Sequence, residues 1–191
     1  MAVLVVGGSG RGAGKTAVGC ALIAAMPELR WAAVKVSPHS HESGEGIREE
    51  TDASSPKDTG RYLAAGARRA FLVTADSDPM ADESIRDVRG CAAECDALLV
   101  ESNRDLAGIA GESEPVVLLA VMDGSWAKSS LPDTVARADA LILTGGGLSQ
   151  ELARELLQKE SRKPVFRLPE GMWCSGELLD FVRAKLRSQP K

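Results

Sequence analysis

Short apolar runs alternate along this chain with longer stretches whose apolar residues recur at helical spacing. The runs fall at about 2–6, 31–36, 70–74, 96–101, 115–121, 139–143 and 164–167. The helical stretches fall at about 15–26, 58–66, 82–94, 149–160 and 175–187. Short runs without polar alternation predict strands covered on both faces, and their separation by helices predicts βαβ units around a mainly parallel sheet. The stretch from Ala17 to Met26 is apolar nearly all round, which predicts a helix buried on most sides and stopped at Pro27. The last stretch sets Leu178, Leu179, Val182 and Leu186 against Glu177, Arg183, Lys185 and Arg187, the pattern of a surface helix lying on a sheet.

One segment breaks the rhythm. Residues 37–57 contain almost nothing apolar and include His39, His41, Glu42, Glu45, Arg48, Glu49 and Glu50. Loops longer than about 12–15 residues are uncommon in compact domains unless they have a function or are disordered. The expectation is a mobile loop at the C-terminal edge of the second strand, where open α/β folds bind ligands. It reads as a substrate or partner loop or as a solvated excursion.

The residues between the first strand and the first helix carry the sharpest chemistry. Gly7-Gly8-Ser9-Gly10-Arg11-Gly12-Ala13-Gly14-Lys15-Thr16 follows Val3-Leu4-Val5-Val6 and leads into the apolar helix. Glycines let successive backbone N–H groups turn inward around an anion, and the helix that starts at Lys15 points its positive end at the same place. This is the layout of a phosphate-binding loop. Gly10, Arg11, Gly12, Ala13, Gly14, Lys15, Thr16 and Ala17 are expected to hold the nucleotide, with Lys15 reaching the β- and γ-phosphates and the Thr16 hydroxyl on Mg²⁺. The usual pattern has glycine five residues before Gly14, and here that place is Ser9. The expected fold is therefore a three-layer α/β P-loop NTPase with a mainly parallel, roughly seven-stranded sheet, in one domain over 1–191.

Three other polar residues fall where a triphosphate site needs them. Glu101 ends the run Ala97-Leu98-Leu99-Val100, placing an acid at a strand end near the metal. Lys35 interrupts the second strand, where an ammonium is costly unless it reaches a partner or the rim. Asp58 opens the next helix, a position that suits either a cap or a metal ligand. Asp76 is another strand-end acid, in a turn with Asp78. Asp123 and the turns at Gly145-Gly146-Gly147 and Pro169-Glu170-Gly171 follow later strands, where a base could rest or where the chain simply turns. The guanine-selective Asn/Thr-Lys-x-Asp motif is absent.

Composition narrows the partners. The chain has 191 residues, 44% hydrophobic and 26% charged, with a formal charge of −4. That balance, with three Trp, one Tyr and three Phe, argues against a nucleic-acid surface. No run approaches the roughly 18–20 apolar residues of a membrane span, and the first strand starts without a charged leader. A cytoplasmic protein with four reduced thiols is expected. Cys91 and Cys95 lie one helical turn apart, yet only two histidines exist, so idle thiols are the better reading.

Over residues 1–105 the chain resembles the molybdopterin-guanine dinucleotide biosynthesis protein B family. The resemblance lies in the phosphate loop, the strand Lys35, the His-containing loop, Lys57-Asp58-Thr59-Gly60-Arg61 followed by Ala65-Gly66-Ala67, and Val100-Glu101-Ser102. It implies a GTP-binding protein of the SIMIBI class, which includes nitrogenase iron protein and dethiobiotin synthetase. Such proteins are weak GTPases, often homodimeric, that assist the nucleotidyltransferase finishing the molybdenum cofactor. Carried over by position, Thr16, Asp58 and Glu101 would hold Mg²⁺, and Lys15, Lys35 and Glu101 would act on GTP or ATP. The chain departs from the family at Ser9, at Val36 in place of His, and at Ser102-Asn103 in place of Gly. An ATP-dependent small-molecule kinase or ligase, and a nucleotide-controlled switch, are the competing readings.

Overall fold

The structure is a computed structural model and describes residues 1–38, 46–102, 104, 109, 114–124, 131–145 and 163–188. The strands are β1 (Ala2–Gly8), β2 (Trp31–Ser37), β3 (Gly46–Glu50), β4 (Arg69–Thr74), β5 (Ala97–Glu101), β6 (Val116–Met122), β7 (Ala140–Leu143) and β8 (Val165–Arg167). The helices are α1 (Lys15–Ala25), α2 (Asp58–Ala64), α3 (Asp78–Cys91), α4 (Leu131–Arg137) and α5 (Gly176–Arg187). The eight strands form one sheet in the order β3-β4-β2-β5-β1-β6-β7-β8, parallel throughout except for the antiparallel edge pair β3–β4.

Side chains alternate across the sheet and so build a core on each face. Leu4, Val6, Trp31, Ala33, Leu99, Leu119 and Val121 face α1, α2 and α5, where Val18, Leu22, Tyr62, Leu178 and Val182 cover them. Val3, Val5, Val34, Phe71 and Val100 face α3 through Ala81, Ile85 and Val88. Ala120, Met122 and Leu141 pack on Val135 and Ala138 around α4. The three layers and the parallel core agree with the pattern of runs.

Two elements differ from that pattern. The polar stretch at 37–57 is not loop throughout: Gly46–Glu50 adds an eighth strand to the sheet edge. Its Ile-Arg-Glu-Glu sequence has no alternation to advertise it, and the ladder to β4 supplies the pairing. Arg69 Nη2 lies 2.6 Å from Glu49 Oε2, and the charges on this edge discourage further strands from adding to it. Helix α4 is a second addition, too short to show amphipathic periodicity. The expected helix at 149–160, together with His39 and His41, lies outside the described residues.

Candidate functional site

The phosphate-loop residues form a tight turn between β1 and α1. Gly12 and Gly14 have φ of +86° and +93°, conformations that L side chains rarely adopt. Gly14 caps α1 without a side-chain hydrogen bond, and no acid lies in the first turn. By contrast, Ser77 and Ser175 cap α3 and α5 through their hydroxyls. The N-terminal amides of α1 therefore keep their affinity for an external anion.

Ser9, the departure from the glycine pattern, has a structural role. It is fully buried, its Oγ donates to Asp123 Oδ1 at 2.9 Å, and its N–H donates to the Val121 carbonyl at 3.0 Å. The loop entrance is thereby tied to the end of β6. The glycine that close packing demands is Gly8, where a Cβ would come within 2.0 Å of the Val121 carbonyl oxygen. On the other side of the turn Thr144 Oγ1 donates to the Ala13 carbonyl at 2.9 Å, and Ala13 itself is buried. Arg11 is exposed beside the loop.

Strand register gathers the remaining polar residues. Lys35 and Glu101 are direct partners in the parallel β2–β5 ladder, and Glu101 also pairs with Val6 just before the loop. Both side chains leave the sheet on the α1–α2 face, so the ammonium and the carboxylate meet at the strand ends. Lys35 Nζ donates to Glu101 Oε1 and lies 3.0 Å from Asp58 Oδ2. Thr16 Oγ1 donates to Glu101 Oε2 at 2.7 Å, and the Tyr62 hydroxyl donates to the same oxygen. Lys15, also buried, turns its ammonium onto the Gly10 carbonyl.

The electrostatics follow from this packing. Burial pulls the Lys35 ammonium down, but Glu101 and Asp58 outweigh it and hold Lys35 above its ordinary value. Burial likewise raises the Asp58 carboxyl, and Lys35 more than reverses that, leaving it below the usual carboxylate range. The Tyr62 phenol is pushed well up, first by burial and then by the facing Glu101 charge. It is a donor only. Cys20, on the same face of α1, is pushed up to about 11 by burial and is an inert thiol.

The resulting cleft has a volume of about 720 Å³ and is lined by Gly12, Lys15, Thr16, Lys35, Asp58 and Glu101, with Trp173 at its rim. The structure thus brings Arg11, Gly12, Gly14, Lys15, Thr16 and Ala17 of the phosphate loop together with Lys35, Asp58 and Glu101, whereas Gly10 and Ala13 do not line the cleft. Asp76 is exposed and is not among the residues that line this cleft. Thr16, Asp58 and Glu101 offer only hard oxygen atoms, the donor type that suits Mg²⁺. Among the described residues there is no group of three His, Cys, Asp or Glu side chains suited to a metal, and Cys91 and Cys95 are free. Sequence reasoning passed over Tyr62 and Trp173 as functional residues. The segment from Lys57 to Ala67 held the chain's one tyrosine, but nothing local marks its hydroxyl as facing a strand-end acid.

No family model and no curated protein matches the chain. Solved structures do. The hydrogenase maturation factor HypB from Archaeoglobus fulgidus superposes with a TM-score of 0.66 at 17% identity, over 98% of this chain and 91% of that one. HypB from Helicobacter pylori, in complex with nickel, gives 0.57 at 17% identity, over 98% and 87%. At such identities the likeness is one of fold. Sheet order, phosphate loop and superposition together give this chain the three-layer α/β architecture of the P-loop NTPases.

Proposed function

We propose that this protein binds a nucleoside triphosphate with Mg²⁺ and hydrolyses its γ-phosphate bond, GTP in preference to ATP. The observation that carries the reading is the convergence of Lys15, Thr16, Lys35, Asp58 and Glu101 in one cleft in front of the amides of α1. The triphosphate draws Lys15 away from the Gly10 carbonyl onto the β- and γ-oxygens. Thr16, Asp58 and Glu101 would hold the cation, which would supply Lewis-acid neutralisation of the phosphate charge. Lys35 leaves its two carboxylates for the γ-phosphoryl group, adding positive charge where negative charge spreads in the transition state. Glu101, buried and held by Tyr62, fixes the position of the attacking water.

The resemblance in residues 1–105 favours a role in molybdenum-cofactor biosynthesis, as a homodimer serving a nucleotidyltransferase. A second reading, an ATP-dependent kinase or ligase, draws support from the breadth of the cleft, which continues past the cradle to Ser37, Pro38 and Arg61. Calorimetry and phosphate-release assays with Mg-GTP and Mg-ATP test both. Binding with slow turnover that needs no second substrate is expected. Turnover only with a second substrate would favour the kinase or ligase, and no binding up to millimolar nucleotide would refute the triphosphate reading.

A further inference from the structure

We infer that Trp173 is the stacking platform for the base of the nucleotide, and that it favours purines. The inference deepens the triphosphate reading and rests on it. The groups suited to the γ-phosphate, Lys35, Asp58 and Glu101, all lie on the β2–β5 side of the phosphate loop. Strand β1 separates those groups from the β6–β7–β8 half of the sheet, so a nucleotide with its γ end on the first side has the second side open to its base. On that side stands Trp173. Its ring lies so close over Gly14 that a Cβ on that glycine would come within 2.6 Å of Cζ3.

The backbone that carries the ring is tied down on both sides. Leu168 N–H donates to the Leu143 carbonyl at 2.8 Å, and Met172 N–H closes a turn on the Pro169 carbonyl at 3.0 Å, with Gly171 at φ +80°. Two residues after the ring Ser175 caps α5, which Leu178, Val182 and Leu186 anchor in the core. A fixed backbone thus presents a large aromatic ring to a polar cleft while the side chain remains 38% exposed. Aromatic rings in that situation bind bases through their faces, and a bicyclic purine covers more of the indole than a pyrimidine does. Met172, also exposed, adjoins it and extends the apolar rim.

The test compares Mg-GTP, Mg-ATP, Mg-UTP and Mg-tripolyphosphate by calorimetry for wild type, Trp173→Ala and Trp173→Phe. Base stacking predicts that Trp173→Ala weakens both purine nucleotides by about tenfold or more and the pyrimidine less. Tripolyphosphate, which has no base, should bind all three proteins within about twofold, and Trp173→Phe should keep most of the purine affinity. Purine nucleotides should also quench wild-type tryptophan fluorescence, and this signal should vanish in Trp173→Phe. Unchanged purine affinity in Trp173→Ala, or an equal loss for tripolyphosphate, would overturn the platform while leaving the triphosphate reading intact. Wild type that binds neither nucleotide nor tripolyphosphate would overturn both.

Discussion

Replacing Lys35 by Met removes the ammonium that neutralises Glu101 and Asp58 and keeps a side chain of similar length. Glu101 is 2% exposed and would retain only the neutral donors Thr16 and Tyr62. Removing one partner of a buried ion pair costs about 3–5 kcal/mol. Lys35 and Asp58 are 24% and 34% exposed, so water screens part of the loss, and about 2–3 kcal/mol is the working figure. For a chain of this size that lowers Tm by about 4–12 °C.

The loss should depend on pH. Asp58 titrates below its ordinary 3.8 in the folded protein, so its contribution is full above that value and is lost as pH falls through the lower folded one. Lys35 titrates above its ordinary 10.5, so its contribution is full below that value and is lost as pH rises through the higher folded one. The gap between wild type and Lys35→Met should therefore be widest from about pH 5 to 9 and narrow on both sides. Urea unfolding followed by tryptophan fluorescence, to which the buried Trp31 contributes, measures it. Adding Glu101→Gln to the variant should recover much of the stability, because the stranded charge is gone. A cost below about 0.5 kcal/mol at pH 7, within the range of ordinary surface substitutions, would refute the reasoning. So would a further loss in the double variant.

Lys15→Ala should reduce triphosphate turnover by about a hundredfold or more while moving Tm by only a few degrees, as phosphate-release and thermal-melt assays would show. Gly8→Ala should cost about 3 kcal/mol or more, since a Cβ would overlap the Val121 carbonyl; a melt unchanged from wild type would contradict the close approach. Tyr62→Phe removes a buried donor to Glu101 and should cost about 1–3 kcal/mol by urea unfolding. Ser9→Gly should lose about 1 kcal/mol through the Asp123 hydrogen bond while leaving nucleotide affinity within about threefold, measured by calorimetry.

Legibility in the sequence tracked the range of the interaction that set each feature. The phosphate loop could be read because its strand, glycines and helix are contiguous and each residue type answers a local demand. Lys35, Glu101 and Asp58 could be flagged because each sits where its own element makes it unusual. Strand β3 could not, since its polar residues carry no periodicity and only pairing with β4 makes them a strand. The role of Ser9 also stayed hidden, because its partner Asp123 is 114 positions away.

By itself the sequence determined the alternation of buried strands and amphipathic helices, the glycine turn whose left-handed positions other residue types rarely adopt, and the supply of hard oxygen atoms and ammonium groups. Tertiary structure alone decided that β5 lies between β1 and β2, which sets Glu101 beside Lys35 and within reach of Thr16, 85 residues away. It also decided that the turn after β8 folds back over Gly14 and leaves an indole at the cleft. The physical reason is that backbone preference and hydrophobic period act over a few residues. Strand order and register are set by how all the apolar faces can be buried at once, and a site assembled from several strand ends exists only after that choice.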